Sequence, residues 1–141
     1  MNIYPVAAFK SGFPDDSVEE DGDIVIFPGR GIAEALAGLL RDAGLSVDAP
    51  EHQHEHGWDF TAHVDGVRIW VQISDIGDVV FLSSEPPYAF FKNSRKKRAA
   101  HGKLLTLLDQ GMRKDKRFSR LRWLRRDEGA TDTGRPAPVE A

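Results

Sequence analysis

Three histidines that alternate with other residues near the middle of the sequence are candidates for coordinating a metal ion. If the run were an extended strand, His52, His54 and His56 would point to one side, because alternate side chains of a strand share a face. Neutral imidazoles so placed bind zinc, nickel or copper, and Glu51 and Glu55 are further candidate ligands. The alternative is a solvated loop, because the spacing matches no metal motif with a known mechanism.

A basic segment with aromatic neighbours is a candidate for binding nucleic acid. Residues 92–126 carry fourteen Lys and Arg against two Asp and Glu, a net charge of +12, whereas residues 1–91 carry four against sixteen, a net charge of −12. Cations contact phosphates and aromatic rings stack on bases when a protein binds a single strand. Core packing explains the aromatics equally well, and a pI near 5.9 opposes a dedicated nucleic-acid protein. The candidate residues are Lys92, Arg95, Lys96, Lys97, Arg98, Arg122 and Trp123.

Other patterns that could perform chemistry are weak. Gly29, Arg30 and Gly31 follow a predicted strand and could offer backbone N–H groups to an anion, but the full phosphate-binding fingerprint is missing. The chain has no cysteine, so it has neither a thiol nucleophile nor a thiolate metal site. No serine lies in a Gly-x-Ser-x-Gly motif, and no two carboxylates have a spacing that brings them together. The sequence therefore favours a protein without catalytic activity and predicts no cofactor.

The clearest structural pattern is a β-hairpin between Trp58 and Ile73. Apolar and polar residues alternate on both sides of the dipeptide Asp65-Gly66, which favours a tight two-residue turn. Such a turn pairs Val64 with Val67, and all the apolar side chains then fall on one face of the hairpin. The turn and the alternation agree, so both predict the same register.

The remaining elements follow from shorter patterns. Helical spacing of apolar residues predicts one helix from Ile32 to Ala43 and a second around Ala100 to Leu108, after a basic linker at 92–98. Strands are predicted at 23–27, from 45 onward and at 79–83. Residues 117–124 could form a final edge strand or a short helix, and we favour the strand. The order β-α-β-β-β-β-α-β predicts an α+β fold with a mostly antiparallel sheet and two amphipathic helices on one face. We expect an acidic N-terminal loop region at 1–22, one domain at 23–128 and a disordered tail at 129–141.

The second face of the hairpin is a candidate surface for binding a partner. In a two-layer fold this face should be polar, yet it carries Trp70 and, with the next strand, Phe81. An apolar centre with a polar rim is the usual composition of an interface, although another layer of the same chain would also explain it. The predicted partner-binding residues are Trp70, Phe81, Thr61, Val79, His63 and Arg68.

Three functions are consistent with the sequence. The leading hypothesis is a protein-binding module of the immunity or antitoxin kind with a basic protein partner, because acidic surfaces attract basic partners. The alternatives are a nucleic-acid-binding protein that uses residues 92–126 and a metal-dependent enzyme that uses the histidine run. A homodimer is compatible with each. We expect a cytoplasmic protein without a membrane partner, since no apolar run has the roughly 20 residues that a bilayer requires.

Three strings of the sequence resemble small proteins of bacterial genomes. They lie within roughly residues 30–128, and the resemblance implies no activity and identifies no functional residue. The strings are His56–Phe60, Asp65–Gln72 and Arg117–Trp123.

Overall fold

The computed structural model of the protein describes residues 1–54, 56–87 and 94–141. Two helices and eleven short or medium strands make up the described part of the chain. In chain order they are β1 (Asn2–Ile3), β2 (Val6–Ser11), β3 (Val18–Glu20), β4 (Asp23–Ile26), α1 (Arg30–Asp42), β5 (Ser46–Val47), β6 (Glu51–Gln53), β7 (Gly57–Val64), β8 (Val67–Asp75), β9 (Val80–Glu85), α2 (Ser94–Arg113), β10 (Phe118–Leu124) and β11 (Val139–Glu140).

The main sheet has the strand order β10-β2-β9-β8-β7-β5, and β6 also pairs with β7. Its pairings are all antiparallel, so the predicted α+β class with a mostly antiparallel sheet is confirmed. The predicted strand at 23–27 forms as β4, but it pairs with β3 in a separate two-stranded sheet. The small hairpin β3–β4 is therefore attached to the domain without extending its main sheet.

The hairpin β7–β8 forms in the predicted register. Val64 pairs with Val67, and Ala62 pairs with Ile69. Asp65 and Gly66 both have positive φ, 49° and 81°, which is the backbone of a tight turn that follows the twist of its strands. Along both strands buried residues alternate with more exposed ones, so one face lies in the core.

Both helices cover that buried face. The apolar stripe of α1, which includes Leu36 and Leu40, and the stripe of α2, which includes Leu104 and Leu108, belong to one hydrophobic core with the inner residues of the sheet. Residues 94–98 of the basic stretch predicted as a linker are instead the start of α2, because the helix begins at Ser94, and residues 92–93 lie outside the described residues. Neither helix of the described residues has the length and apolarity that crossing a lipid bilayer requires.

The N-terminal region contains strands where the sequence predicted a loop. β2 lies inside the main sheet between β10 and β9, and Val6, Ala7, Ala8 and Phe9 are all buried. Because both faces of this strand are covered, its residues do not alternate between apolar and polar, and two alanines have weak strand propensity. For these two reasons, a search for alternating apolar and polar residues does not predict β2.

The C-terminal segment is also ordered by pairing, although the sequence predicted a disordered tail. Trp123 exchanges backbone hydrogen bonds with Arg135, and β11 pairs with β1. The Arg135 guanidinium contacts the Glu128 carboxylate at 2.6 Å and lies over the Tyr4 ring. The small residues and prolines of this segment lack helical or strand periodicity, but long-range pairing joins Arg135 to β10 and β11 to β1.

Candidate functional site

The outer face of the sheet carries a cleft around Trp70. Thr61 and Glu85 are the direct cross-strand partners of Trp70 on β7 and β9, so the three side chains are neighbours on this face. The cleft has a volume of about 250 Å³. We call it the Trp70 cleft. The residues that line it are Thr61, Arg68, Trp70, Glu85, Pro86 and Pro87.

Trp70 is held in place without being buried completely. Its indole N–H donates a hydrogen bond of 3.0 Å to the Asp59 carboxylate, and the Gln53 amide donates to the other oxygen of the same carboxylate at 3.3 Å. The side chain is half-buried, so part of the ring remains accessible at the cleft. An aromatic side chain with a fixed orientation loses little conformational entropy when it binds, which suits it to anchor a partner.

Acidic side chains lie beside the Trp70 cleft. Asp48, Glu51 and Asp59 line an adjoining cleft that shares Thr61 with the first. Arg68 is exposed in the Trp70 cleft, and its cross-strand neighbour His63 lies 3.3 Å from the Asp48 carboxylate. Glu85 contributes a further carboxylate, 3.8 Å from Arg126. Among the described residues that line the two clefts, four carboxylates accompany one cation, Arg68, and Lys97 donates to the Pro87 carbonyl at the edge. An excess of carboxylates favours a basic partner.

Phe81 and Val79, two of the predicted partner-binding residues, lie away from Trp70. Phe81 is on the same face of the sheet, but its cross-strand neighbours are Ser74 and Ala8, whereas Trp70 pairs with Glu85 four residues farther along β9. Phe81 and Val79 pack partly buried against Val6, Ala8 and Leu124 in a small second core. The predicted surface therefore separates into a packed cluster and the Trp70 cleft.

The histidine run is not one extended strand, and the structure places the His52 and His54 rings with their centroids 5.1 Å apart. β6 ends at Gln53, and the backbone N–H of His56 donates to the Gln53 carbonyl, which closes a turn before β7. His52 Nε2 accepts a hydrogen bond of 3.0 Å from the Phe27 amide, so this nitrogen is already used within the protein. Glu55 lies outside the described residues. Within the described ranges, no group of three or more His, Asp or Glu side chains is arranged to hold a metal ion.

The candidate anion site before α1 is occupied by the protein's own Asp16. One carboxylate oxygen accepts from the Gly29 amide and the other from the Gly31 amide, both at 2.8 Å. A carboxylate here satisfies N–H groups that the helix leaves without partners and interacts favourably with its positive end. The Gly29–Gly31 segment is therefore a helix start fixed by Asp16.

The predicted nucleic-acid-binding residues that the structure describes lie on two separate elements, α2 and β10. Arg95, Lys96, Lys97 and Arg98 lie in the first turns of α2, whereas Trp123 is completely buried in β10 and cannot stack on a base. Arg122 donates to the carbonyls of Ala130 and Asp132. Lys92 lies outside the described residues. The contribution of Trp123 to nucleic-acid binding was a wrong prediction, because its long-range packing cannot be seen in the local sequence.

We expect the exposed cations of α2 to bind nucleic acid only weakly. Contacts to phosphates without stacking or base readout depend on the release of counterions and weaken steeply with salt. A fluorescence anisotropy titration with a labelled single strand should therefore show binding at low salt that is lost at physiological salt. Lys96→Ala combined with Lys97→Ala should reduce the low-salt binding, while the control Lys116→Ala should have a smaller effect. Tight binding at physiological salt would contradict this expectation.

A buried Ser–His pair was missed in the sequence. Ser84 Oγ lies 2.8 Å from His101 Nε2 and 3.1 Å from the Pro5 carbonyl oxygen, and both side chains are buried. Burial lowers the pKa of His101 to about 4, and Arg126 and Arg98 add to this effect. A nucleophile must be reached by its substrate, so a fully buried Ser84 is placed to stabilise the fold. Ser84 and His101 lie 17 positions apart in the sequence and belong to no local motif, so the sequence did not predict that they would pair.

The chain matches no protein-family model, no curated protein and no solved structure.

Proposed function

We propose that this protein is a non-catalytic protein-binding module whose recognition surface is the Trp70 cleft and the acidic residues beside it. The observation that carries the proposal is a half-buried tryptophan, fixed by Asp59, at the centre of a cleft on the outer sheet face. Tryptophan is the residue type most enriched among those that dominate binding energies. The polar and charged residues around it correspond to the rim that surrounds the apolar centre of an interface.

The charges beside Trp70 support a basic partner. Asp48, Glu51 and Glu85 are exposed, so they can attract a cationic surface over a distance and accelerate association. We propose that the protein acts in the cytoplasm as an immunity or antitoxin protein, which neutralises a basic toxin by covering it. Phe81 and Val79 are not part of this proposed surface, because they pack against the second core.

A photo-crosslinking amino acid at position 61 tests this proposal directly. Thr61 is adjacent to Trp70 in the cleft, whereas Ile76 is exposed at a different place and serves as the control position. Crosslinking in cells of the native host should yield a basic protein from position 61 that is absent from position 76. The purified pair can then be used to measure affinity. Identical crosslinked proteins from the two positions would contradict the proposal.

Trp70→Ala is expected to weaken binding of the crosslinked partner more than it weakens the fold. Loss of a central aromatic anchor should cost about 2 kcal/mol of binding free energy, which is roughly a 30-fold rise in Kd. Because the side chain is only half-buried, the free energy of unfolding should fall by about 1–2 kcal/mol. Isothermal titration and denaturant melts measure the two quantities. An unchanged Kd, or a stability loss of about 4 kcal/mol, would assign Trp70 to the core instead.

A further inference from the structure

The hairpin β3–β4 presents an acidic and partly apolar surface. Glu19, Glu20, Asp21 and Asp23 lie within it, and no Lys or Arg occurs between Lys10 and Arg30. Val18 is 41% exposed and Ile24 is 50% exposed, and these are two of the four large apolar side chains that are strongly exposed in the described residues. β-branched apolar side chains among carboxylates resemble one half of an interface whose other half is apolar and basic.

A groove with the opposite character lies on the outer side of α2. It has a volume of about 400 Å³ and is lined by Met1, Ala99, Gly102, Lys103, Thr106, Leu107 and Val139. Met1 and Val139 pack beside the helix at Gly102, where an added Cβ would lie in ordinary van der Waals contact with their side chains, at 3.6–3.8 Å. The floor of the groove is therefore apolar. The basic helix α2 supplies five of the seven residues that line the groove.

Cations of α2 border this groove. Lys103 lines it, Arg98 donates a hydrogen bond to the Met1 carbonyl at its end, and Arg95 lies one helical turn before Ala99 on the same face. In the part of α2 that the structure describes, the residues from Arg95 to Lys103 include no Asp or Glu. The α2 groove thus complements the hairpin in both charge and hydrophobicity.

The hairpin and the groove of one molecule lie at opposite ends of β7. At its first end, the Trp58 indole donates to the Phe27 carbonyl directly after β4, and at its last end Lys103 contacts Asp65 in the turn. Seven residue steps of about 3.4 Å separate these ends by roughly 24 Å. The hairpin and the groove of one chain are thus anchored about one strand length apart, and a second copy can bring the two kinds of surface together.

We propose that the β3–β4 hairpin of one copy docks in the α2 groove of another copy. The acidic hairpin lies against Arg95, Arg98 and Lys103, while Val18 and Ile24 cover the apolar floor of the groove. Two different surfaces meet in this contact, so the assembly grows head to tail unless the rotation between copies closes it. Neither surface belongs to the Trp70 cleft, so this association and the proposed partner binding are independent.

Sedimentation velocity of the full chain at increasing concentration tests the association. The wild-type protein should show a mass that rises with concentration, and added salt should shift this rise to higher concentration because the contact is between opposite charges. Ile24→Lys on the hairpin and Ala99→Glu in the groove should each weaken association by about 10-fold or more. Ile76→Lys changes an apolar residue elsewhere that is even more exposed, at 65%, and it should leave the association unchanged.

A mixture of the two impaired variants gives the sharpest result. The Ala99→Glu protein keeps an intact hairpin and the Ile24→Lys protein keeps an intact groove, so the mixture should form a heterodimer with one productive contact. Circular dichroism melts of each variant establish that both are folded. A wild-type protein that stays monomeric at all concentrations, or a mixture that fails to associate, overturns the proposal, as does an Ile76→Lys variant that is impaired equally.

Discussion

Trp123→Ala should lower the free energy of unfolding by about 4 kcal/mol, the cost of truncating a large aromatic side chain in a well-packed core. Trp123 is completely buried in the core that contains both helices and the inner sheet face. Its indole N–H donates a 2.8 Å hydrogen bond to the Asp109 carboxylate on α2, and Asp109 also accepts from Arg113. The substitution would therefore remove packing and leave Asp109 with one partner fewer.

Trp123→Phe separates the two contributions to this loss. The phenyl ring keeps most of the packing and removes the hydrogen bond, so the expected loss is about 1–3 kcal/mol. Urea or guanidinium melts of the wild type and both variants measure the series. If Trp123→Ala cost less than about 1 kcal/mol and instead abolished the weak binding of nucleic acid, Trp123 would be a surface residue, contrary to its burial.

The contrast between Trp123 and the hairpin β7–β8 explains which parts of the fold the sequence could predict. Asp65-Gly66 and the alternating apolar residues beside it are local signals, and each of them requires the same register. Trp123 lies in a strand that was also predicted, but its inward direction depends on the register shift between Ser119 and Arg122. The local pattern was therefore sufficient to predict the strand, but it was not sufficient to predict that Trp123 is buried.

The candidate site could also be predicted from the sequence only in part. The hairpin register places Thr61 opposite Trp70, so this pair could be derived from the sequence. Glu85 and the two prolines of the cleft come from β9 and the residues after it, and their position depends on how the chain turns after Asp75. The same turn determines that Phe81 lies beside Ala8 and away from Trp70. A longer connection has more possible registers, and alternation alone does not choose among them.

Mild acid should destabilise the protein through His101. The pKa of His101 is lowered to about 4 in the folded protein by burial and by the nearby Arg126 and Arg98, compared with about 6.5 for an exposed histidine. Below pH 6.5 the unfolded chain therefore binds a proton that the folded protein does not, and stability falls as the pH decreases. The loss continues to about pH 4 and reaches about 3 kcal/mol in total.

The pH range separates this effect from the protonation of carboxylates. Glu128 and Asp115 have lowered pKa values because of their hydrogen bonds to Arg135 and Arg117, so their contributions are lost only as the pH falls below about 4. Between pH 7 and pH 5, His101 should account for a loss of about 2 kcal/mol, which denaturant melts at several pH values can measure. His63 is partly exposed and serves as the matched control.

His101→Gln should remove most of this pH dependence while keeping a side chain that can hydrogen-bond to Ser84. The glutamine does not titrate, so the free energy of unfolding should be nearly constant between pH 7 and pH 5 even if its absolute value is lower. His63→Gln, which replaces a partly exposed histidine outside the core, should leave the wild-type slope in place. A wild-type slope retained by His101→Gln would show that another group binds the proton, and that the pair of Ser84 and His101 does not make the fold sensitive to acid.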